Sequence, residues 1–497
     1  LLPVGFIVAG AIAGWSTAGD DTRAVSGAES SAVLRAGAAR VDVTPEKLPV
    51  RVAGNISESW ADKVHDPLHV RALVLDDGKT RIALAVVDTC LMDRALIDEA
   101  KRLASKSTGI PAARMLVSAT HTHSAPAVVG IHGTDPHLDY RELLISRIAV
   151  AIERANERLA PAEIGYGVGR TNEFVHCRRW ILRPGAALQV PFTGRETNQA
   201  QMNPGHENPN NVRQTGPVDD AVTVLGVRHK GDGRPLAFFA SYSTHYAGAP
   251  GVSADYFGAF AREIETRLSG DKDTENDNGG PEIVAMLANG TSGDANAIDF
   301  SRPRRPFDRF EVAREVARVA LEAWEKIEWV ASAPIVARER HLRLSVRMPT
   351  TEEVAAAEAF LAEKVGDRPV RTWEENYARE TVLLSKLPDT RELVLQGFRI
   401  GELGVAAIPC EVYGSTGLWI KSQSPLSPTV VIGLANGYDG YLPPPEQFEL
   451  GGYTTWRARS SCLEKDAEPK VARTVIDLLR EAERERRYEL VRKVGGS

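Results

Sequence analysis

Two apolar runs of β type, residues 82–87 and 115–119, bracket a stretch at 95–105 whose Leu, Ile and Ala recur at helical spacing. This β-α-β order narrows the fold more than any other feature. It predicts two parallel neighbouring strands joined by a right-handed crossover helix. Open α/β sheets take their ligands beyond the carboxyl ends of such strands. Asp88 stands there after the first run, and Thr120, His121, Thr122 and His123 after the second. Side chains alternate along a strand, so His121 and His123 share a face. Two adjacent imidazoles can share a metal ion, or divide the work of ligand and proton carrier. Alone, the pair reads equally well as two hydrogen-bonded histidines in a turn.

Other segments repeat the pattern of an apolar run ending in a chemically useful residue. Residues 70–75 join 82–87 through Asp76-Asp77-Gly78, a hairpin signal. Strands are predicted at 163–167, 221–227 and 236–242, and the last delivers His245 just past its end. Residues 253–258 open a helix with Ser253 or Asp255 as its cap. A buried strand at 283–287 runs into N-G-T-S-G-D-A-N, which contains Asp294 and Asn296; its glycines let backbone N–H groups approach a ligand. Residues 335–347 alternate as an exposed edge strand. A strand pair at 398–408 ends in Pro-Cys-Glu411, and an apolar run at 429–434 is followed by N-G-Y-D-G-Y, ending at Tyr441. Helices are predicted at 143–159, 310–327, 352–363 and 469–489. Residues 172–179 and the Pro-, Asn- and Gln-rich 184–216 read as loops, and 269–280 as an acidic, Gly-rich surface loop. The fold class is α/β, with mixed β-sheets flanked by helices.

A chain of 497 residues with 43% hydrophobic content can bury a large core, and no internal boundary stands out, so residues 36–497 are taken as one domain. A net charge of −6 points to no nucleic-acid partner. The basic runs at 302–305 and 484–487 read as a solvated loop and helix face. The first residues are apolar and small, with small-x-small sites near positions 13 and 18, so residues 1–35 read as a signal peptide and linker of a secreted or periplasmic protein. The four cysteines contain no C-x-x-C, which speaks against a zinc ribbon. Export would leave room for one or two disulfides.

His121, His123, His245, Glu411 and Tyr441 together offer nitrogen and oxygen donors suited to a catalytic zinc site. Around them, the chain resembles the neutral (non-lysosomal) ceramidase family, zinc-dependent amidases that cleave the N-acyl bond of ceramide. The resemblance runs from about Arg40 to Tyr453. It rests on A-T-H-T-H-S-A-P, on F-A-S-Y-S-T-H followed by S-A-D-Y-F-G, on S-G-D, on I-P-C-E-V, and on N-G-Y-D-G-Y with the later Tyr453. It implies a ceramidase-like catalytic domain with Zn2+ held by His121, His245, Glu411 and Tyr441. It also implies that His123, Arg178 and Tyr453 face the substrate and that Asp294 belongs to the family's G-D-V-S-P-N loop. Asp294 is expected to orient a histidine. Three departures accompany it. The family's histidine in the F-A-S segment aligns with Tyr242, so a ligand at His245 requires a different local backbone. Asn296 stands where the family has a serine, and can donate to an oxyanion but not act as a nucleophile. No immunoglobulin-like domain follows Tyr453 in this sequence.

The resemblance therefore implies a metal-dependent hydrolase that cleaves an amide by activated water, with a small-molecule or lipid/glycan substrate and room for peripheral contact with a membrane. Two other readings stay open: an exported enzyme of the same fold acting on an ester or carbohydrate, and a non-catalytic binding homologue. A wide apolar groove beside the metal would favour the lipid. A narrow polar pocket lined by Arg178, His65 and the Asn-rich loop would count against it. His65 and His69 are expected to be structural.

Overall fold

In the computed structural model the strands His69–Asp76, Arg81–Val87, Met115–Ala119 and Val284–Asn289 are buried on both faces, which is why they read as continuous apolar runs rather than alternating ones. The structure describes residues 33–194, 198–269 and 283–494, with side chains to 485. The signal-peptide reading and most of the acidic 269–280 loop lie outside the described residues. Val33 onward belongs to one compact unit.

The larger sheet has eight strands: β1 (Arg35–Asp42), β2 (His69–Asp76), β3 (Arg81–Val87), β4 (Met115–Ala119), β5 (Ala160–Arg170), β6 (Ala221–His229), β7 (Pro235–Tyr242) and β8 (Val284–Asn289). Their spatial order is β8-β7-β6-β5-β1-β2-β3-β4. The pairs β3/β4 and β7/β8 are parallel. The pairs between β5 and β6, β1 and β2, and β2 and β3 are antiparallel. Helix α1 (Arg94–Thr108) makes the expected β3-α1-β4 crossover. Asp93 caps it by accepting from the Leu96 amide, and Gly109 ends it at φ 72°.

A second sheet of β9 (Ile335–Ser345), β10 (Thr390–Ile400), β11 (Leu403–Ala407) and β12 (Thr429–Ile432) keeps that order, with β9 at its edge as expected. The two sheets face each other through one apolar layer that includes Leu73, Leu75, Leu225 and Met286 from the first and Phe398, Val405 and Ile432 from the second. The alternate residues of the first sheet pack outward. Val70, Ala72 and Val117 meet α1 and α2 (Leu138–Glu157). Val224, Phe238 and Ala240 meet α3 (Asp255–Ser269) and α4 (Arg309–Trp324). The C-terminal helix (Ala467–Val494) covers the outer face of the second sheet through Val471, Val475 and Leu479. The result is four layers, helix–sheet–sheet–helix.

Two sequence expectations are corrected. Residues 184–216 are not structureless, because Ala200–Met202 and Asn211–Gln214 pair on either side of Arg179–Leu182. All four cysteines are buried and free, so no disulfide forms. Among the described residues no helix is long and apolar enough to cross a membrane.

The edge strands β4 and β8 are brought together by the segment leaving β12. Gly433 N donates to Asn289 O at 3.1 Å, and Asn436 N donates to Val117 O at 2.8 Å. Asn289 Nδ2 closes the seam on Thr120 O at 3.0 Å. The carboxyl ends of β4, β7, β8 and the β11 exit therefore open on one spot.

Candidate metal centre and active site

Past β4 the backbone turns left-handed at His121, φ 73°, a conformation costly for a residue with a Cβ. The His121 amide donates to Thr89 O at 2.9 Å and the Thr120 amide to Val87 O at 2.9 Å, which hold the turn. Past β7, Tyr242 faces the helix layer and donates its hydroxyl to Thr171 O at 3.2 Å. The chain then runs three residues further before His245 reaches the centre. His245, three residues past the position at which the resemblance places the family's histidine, is thus the imidazole at the centre.

The two imidazoles are fixed alike. His121 Nδ1 lies 2.9 Å from Cys90 O, and His245 Nδ1 lies 3.2 Å from Ser292 O. A carbonyl can only accept, and the two protons of the Arg178 nitrogen beside His245 Nδ1 have Gly293 O and Tyr441 Oη as acceptors, so both Nδ1 atoms carry the proton and both Nε2 atoms present lone pairs. These lone pairs face each other at 2.9 Å. His123 Nε2 comes within 3.2 Å of His121 Nε2. Glu411 Oε2 is 3.6 Å from His121 Nε2 and 3.9 Å from His245 Nε2. It is buried with no hydrogen-bond partner.

Lone pairs converging on an orphaned carboxylate oxygen are mutually repulsive unless a cation sits among them. Donors about 2.0–2.2 Å from a tetrahedral zinc stand about 3.3–3.6 Å apart. The separations here straddle that range, so the residues present fit a divalent ion. The ligating atoms of His121, His245 and Glu411 all lie within 4.8 Å of one another.

Glu411 and Tyr441 are register partners in a short parallel bridge, which places the phenol beside the carboxylate. Tyr438 donates to the other carboxylate oxygen, Oε1, at 3.2 Å. Arg178 is buried and points a guanidinium nitrogen at Tyr441 Oη (3.2 Å) and Gly293 O (3.1 Å), 3.3 Å from His245 Nδ1. Burial pushes the Glu411 carboxyl up to about 7 against the pull of Arg178. Burial also pulls His121 down to about 4. The imidazole and the acid are thus no ordinary ion pair, and a cation between them would favour carboxylate and neutral imidazole together.

A cavity of about 770 Å³ opens onto this centre. His123, His245, Arg178, Tyr441 and Tyr453 line its inner end. Its lining mixes the apolar side chains of Trp373, Trp456, Leu188, Ile56 and Met202 with the carboxamides of Asn55, Gln189, Gln201 and Asn203. His123 stacks on Tyr246 with ring centroids 3.9 Å apart. Gly54 leaves room behind it, since a Cβ there would lie 2.3 Å from His123 Nδ1. Neither His65 nor His69 lines the cavity. His69 packs on Arg71 at 3.5 Å, in keeping with the structural role expected of it.

Asp294 does not orient a histidine. Its Oδ1 accepts from Gly414 N at 2.8 Å, at the start of the helix Gly414–Gln423. Backbone carbonyls hold the histidines instead, as above. Burial raises the Asp294 carboxyl to about 6. Asn296 does not line the cavity: its Nδ2 donates to Asn203 Oδ1 at 3.2 Å and its Oδ1 accepts from Ile298 N at 2.9 Å, an Asx turn. Sequence reasoning missed Cys90, Tyr246, Tyr438 and His132. Tyr438 lies inside the N-G-Y-D-G-Y word and was within reach. Cys90 and Ser292 act through backbone carbonyls, which leave no trace in side-chain identity.

Residues 34–298 match the family model described as neutral/alkaline non-lysosomal ceramidase, N-terminal. The fold is similar to the neutral ceramidase from Pseudomonas aeruginosa, at a TM-score of 0.65 and 19% identity, covering 91% of this chain and 75% of that one. It is similar also to a ceramidase complexed with C2, at a TM-score of 0.67 and 18% identity, covering 91% and 76%. No curated protein matches the chain.

Proposed function

Because the chain belongs to the neutral/alkaline non-lysosomal ceramidase family, we propose that this hydrolase cleaves an N-acyl amide bond of an amphipathic, ceramide-like substrate with the help of Zn2+. The observation that carries this reading is the convergence of the His121 and His245 Nε2 atoms on the partnerless Glu411 oxygen, with His123 beside them, in a cavity lined by both apolar side chains and carboxamides.

His121, His245, Glu411 and Tyr441 would hold the ion, which supplies Lewis acidity and brings the pKa of water from about 16 toward about 7. The protein's own groups do the rest. Arg178 and Tyr453 donate hydrogen bonds to the carbonyl oxygen as it gains charge; one such donor is typically worth about 3 kcal/mol. His123, stacked on Tyr246, carries the proton from the attacking water to the leaving nitrogen. Cys90 O and Ser292 O keep the ligand tautomers fixed. With Asn296 engaged in its turn, no side-chain nucleophile is called on and water attacks directly.

The mixed lining of apolar side chains and carboxamides favours a substrate that joins an acyl chain to a hydroxylated amine. Export of the chain belongs to the same reading, supported by the apolar start of the sequence. The test is turnover of zinc-loaded protein on a short-chain ceramide beside N-acyl amino sugars and matched esters. Amide cleavage with no acyl-enzyme in a quench-and-mass experiment supports the proposal. An exclusive preference for esters, or a trapped covalent acyl adduct, refutes it.

A further inference from the structure

Behind the cavity wall a buried histidine, unused in the reaction so far, touches the substrate-facing tyrosine. His132 Nε2 lies 2.9 Å from the Tyr453 hydroxyl, and its Nδ1 lies 3.2 Å from Asn376 Nδ2. His132 is 3% exposed and Asn376 fully buried. The histidine is clamped: its carbonyl accepts from Arg379 at 2.5 Å, and the next amide, Gly133 N, donates to Ile56 O at 3.0 Å. Asn376 sits on the helix Trp373–Ser385, whose first residue lines the cavity.

Burial draws His132 down to about 4, so near neutral pH it carries one N–H and one lone pair. What one ring nitrogen does therefore decides the other. An Asn376 amide that donates to Nδ1 leaves the proton on Nε2, where the nearest acceptor is the Tyr453 oxygen. A tyrosine has a single proton. If its oxygen accepts from His132, that proton is free for a different acceptor, on the side where Tyr453 lines the cavity and meets Tyr441 edge-on at 5.6 Å between ring centroids.

We propose that His132, held by Asn376 as the Nε2–H tautomer, is a positioning residue: it donates to the Tyr453 oxygen and so leaves the one Tyr453 proton for the carbonyl oxygen of the bound substrate. The substrate half of this proposal rests on the hydrolytic reading; the tautomer half does not.

The tautomer is read first, on the full chain without substrate. Wild-type protein labelled with ¹⁵N-histidine, with His132→Gln identifying the signals, is expected to show His132 protonated at Nε2 and bare at Nδ1. A proton on Nδ1 overturns the proposal whether or not the protein turns over any amide. Kinetics of the zinc-loaded protein follow. A glutamine amide can stand in for Nε2–H, so His132→Gln should keep kcat within about threefold, whereas His132→Leu should lose about tenfold or more in kcat with KM little changed. In a Tyr453→Phe background, His132→Leu should cost no more than about twofold further. Equal losses in the Gln and Leu variants, or losses that multiply with Tyr453→Phe, overturn it. A wild type inactive on every N-acyl substrate defeats the hydrolytic reading, while the spectrum still decides the tautomer.

Discussion

Gly54→Ala isolates the role of His123 without touching a proposed metal ligand. Gly54 adopts φ 99°, and a Cβ built there lies 2.3 Å from Nδ1 and 2.4 Å from Cγ of His123. Ordinary contact needs about 3.4 Å or more, so the ring must retreat by about 1 Å. The loop cannot easily yield instead, since Ala53 N is bonded to Ala125 O and Val52 bridges Pro126. An alanine at this φ costs about 1–2 kcal/mol, which in a chain of this size lowers the melting temperature by only a few degrees. Displacing a proton carrier by about 1 Å is worth about 10²-fold in rate. The expected result is a folded protein with wild-type zinc content whose kcat on a short-chain ceramide falls about a hundredfold, with KM little changed. Activity within about threefold of wild type in a folded variant would refute the assignment of His123.

Three further outcomes follow from the same geometry. Arg178→Gln should lower kcat about 10²–10³-fold in steady-state assays, because it removes a buried donor aimed at the inner end of the cavity. Gly293→Ala should weaken zinc binding about 10–100-fold in chelator competition, since its Cβ would lie 2.6 Å from Glu411 O and push the ligand strand away. Glu380→Gln should cost about 3–5 kcal/mol by leaving Arg459 without its buried partner, now bonded at 2.6 Å. Burial works against the Glu380 carboxylate, but Arg459 more than offsets it and holds its pKa below the usual glutamate value. The ion pair therefore contributes fully above the unfolded value of about 4.3, and its contribution is lost as pH falls through the lower folded one. Melting temperatures followed from pH 7 to pH 3 should fall less steeply on acidification in the Gln variant than in the wild type.

The β3-α1-β4 unit was legible because strands covered on both faces leave unbroken apolar runs, and a crossover helix leaves a 3.6-residue period. His121, His245, Glu411 and Tyr441 were legible for a related reason: each follows such a run. What was hidden is polar or tertiary. The helix Trp373–Ser385 buries Glu375, Asn376 and Glu380, so its period is broken by charges that Arg368, just before the helix, and Arg459, far along the chain, neutralise. Asn211–Gln214 is a strand only because Arg179–Leu182 offers it an edge. Asp294 stood in a family-like loop but its Oδ1 is taken by the Gly414 amide, a backbone partner that side-chain identity does not reveal. His132 sits in I-H-G-T-D, with no motif to mark it.

Whether His121, His245 and Glu411 share one cation is decided by elemental analysis of purified protein reconstituted with zinc and then desalted. The wild type should retain about one zinc per chain, and His121→Ala and Glu411→Ala, still folded by circular dichroism, should retain almost none. A wild type that keeps no metal, or alanine variants that keep it stoichiometrically, would contradict the metal centre outright.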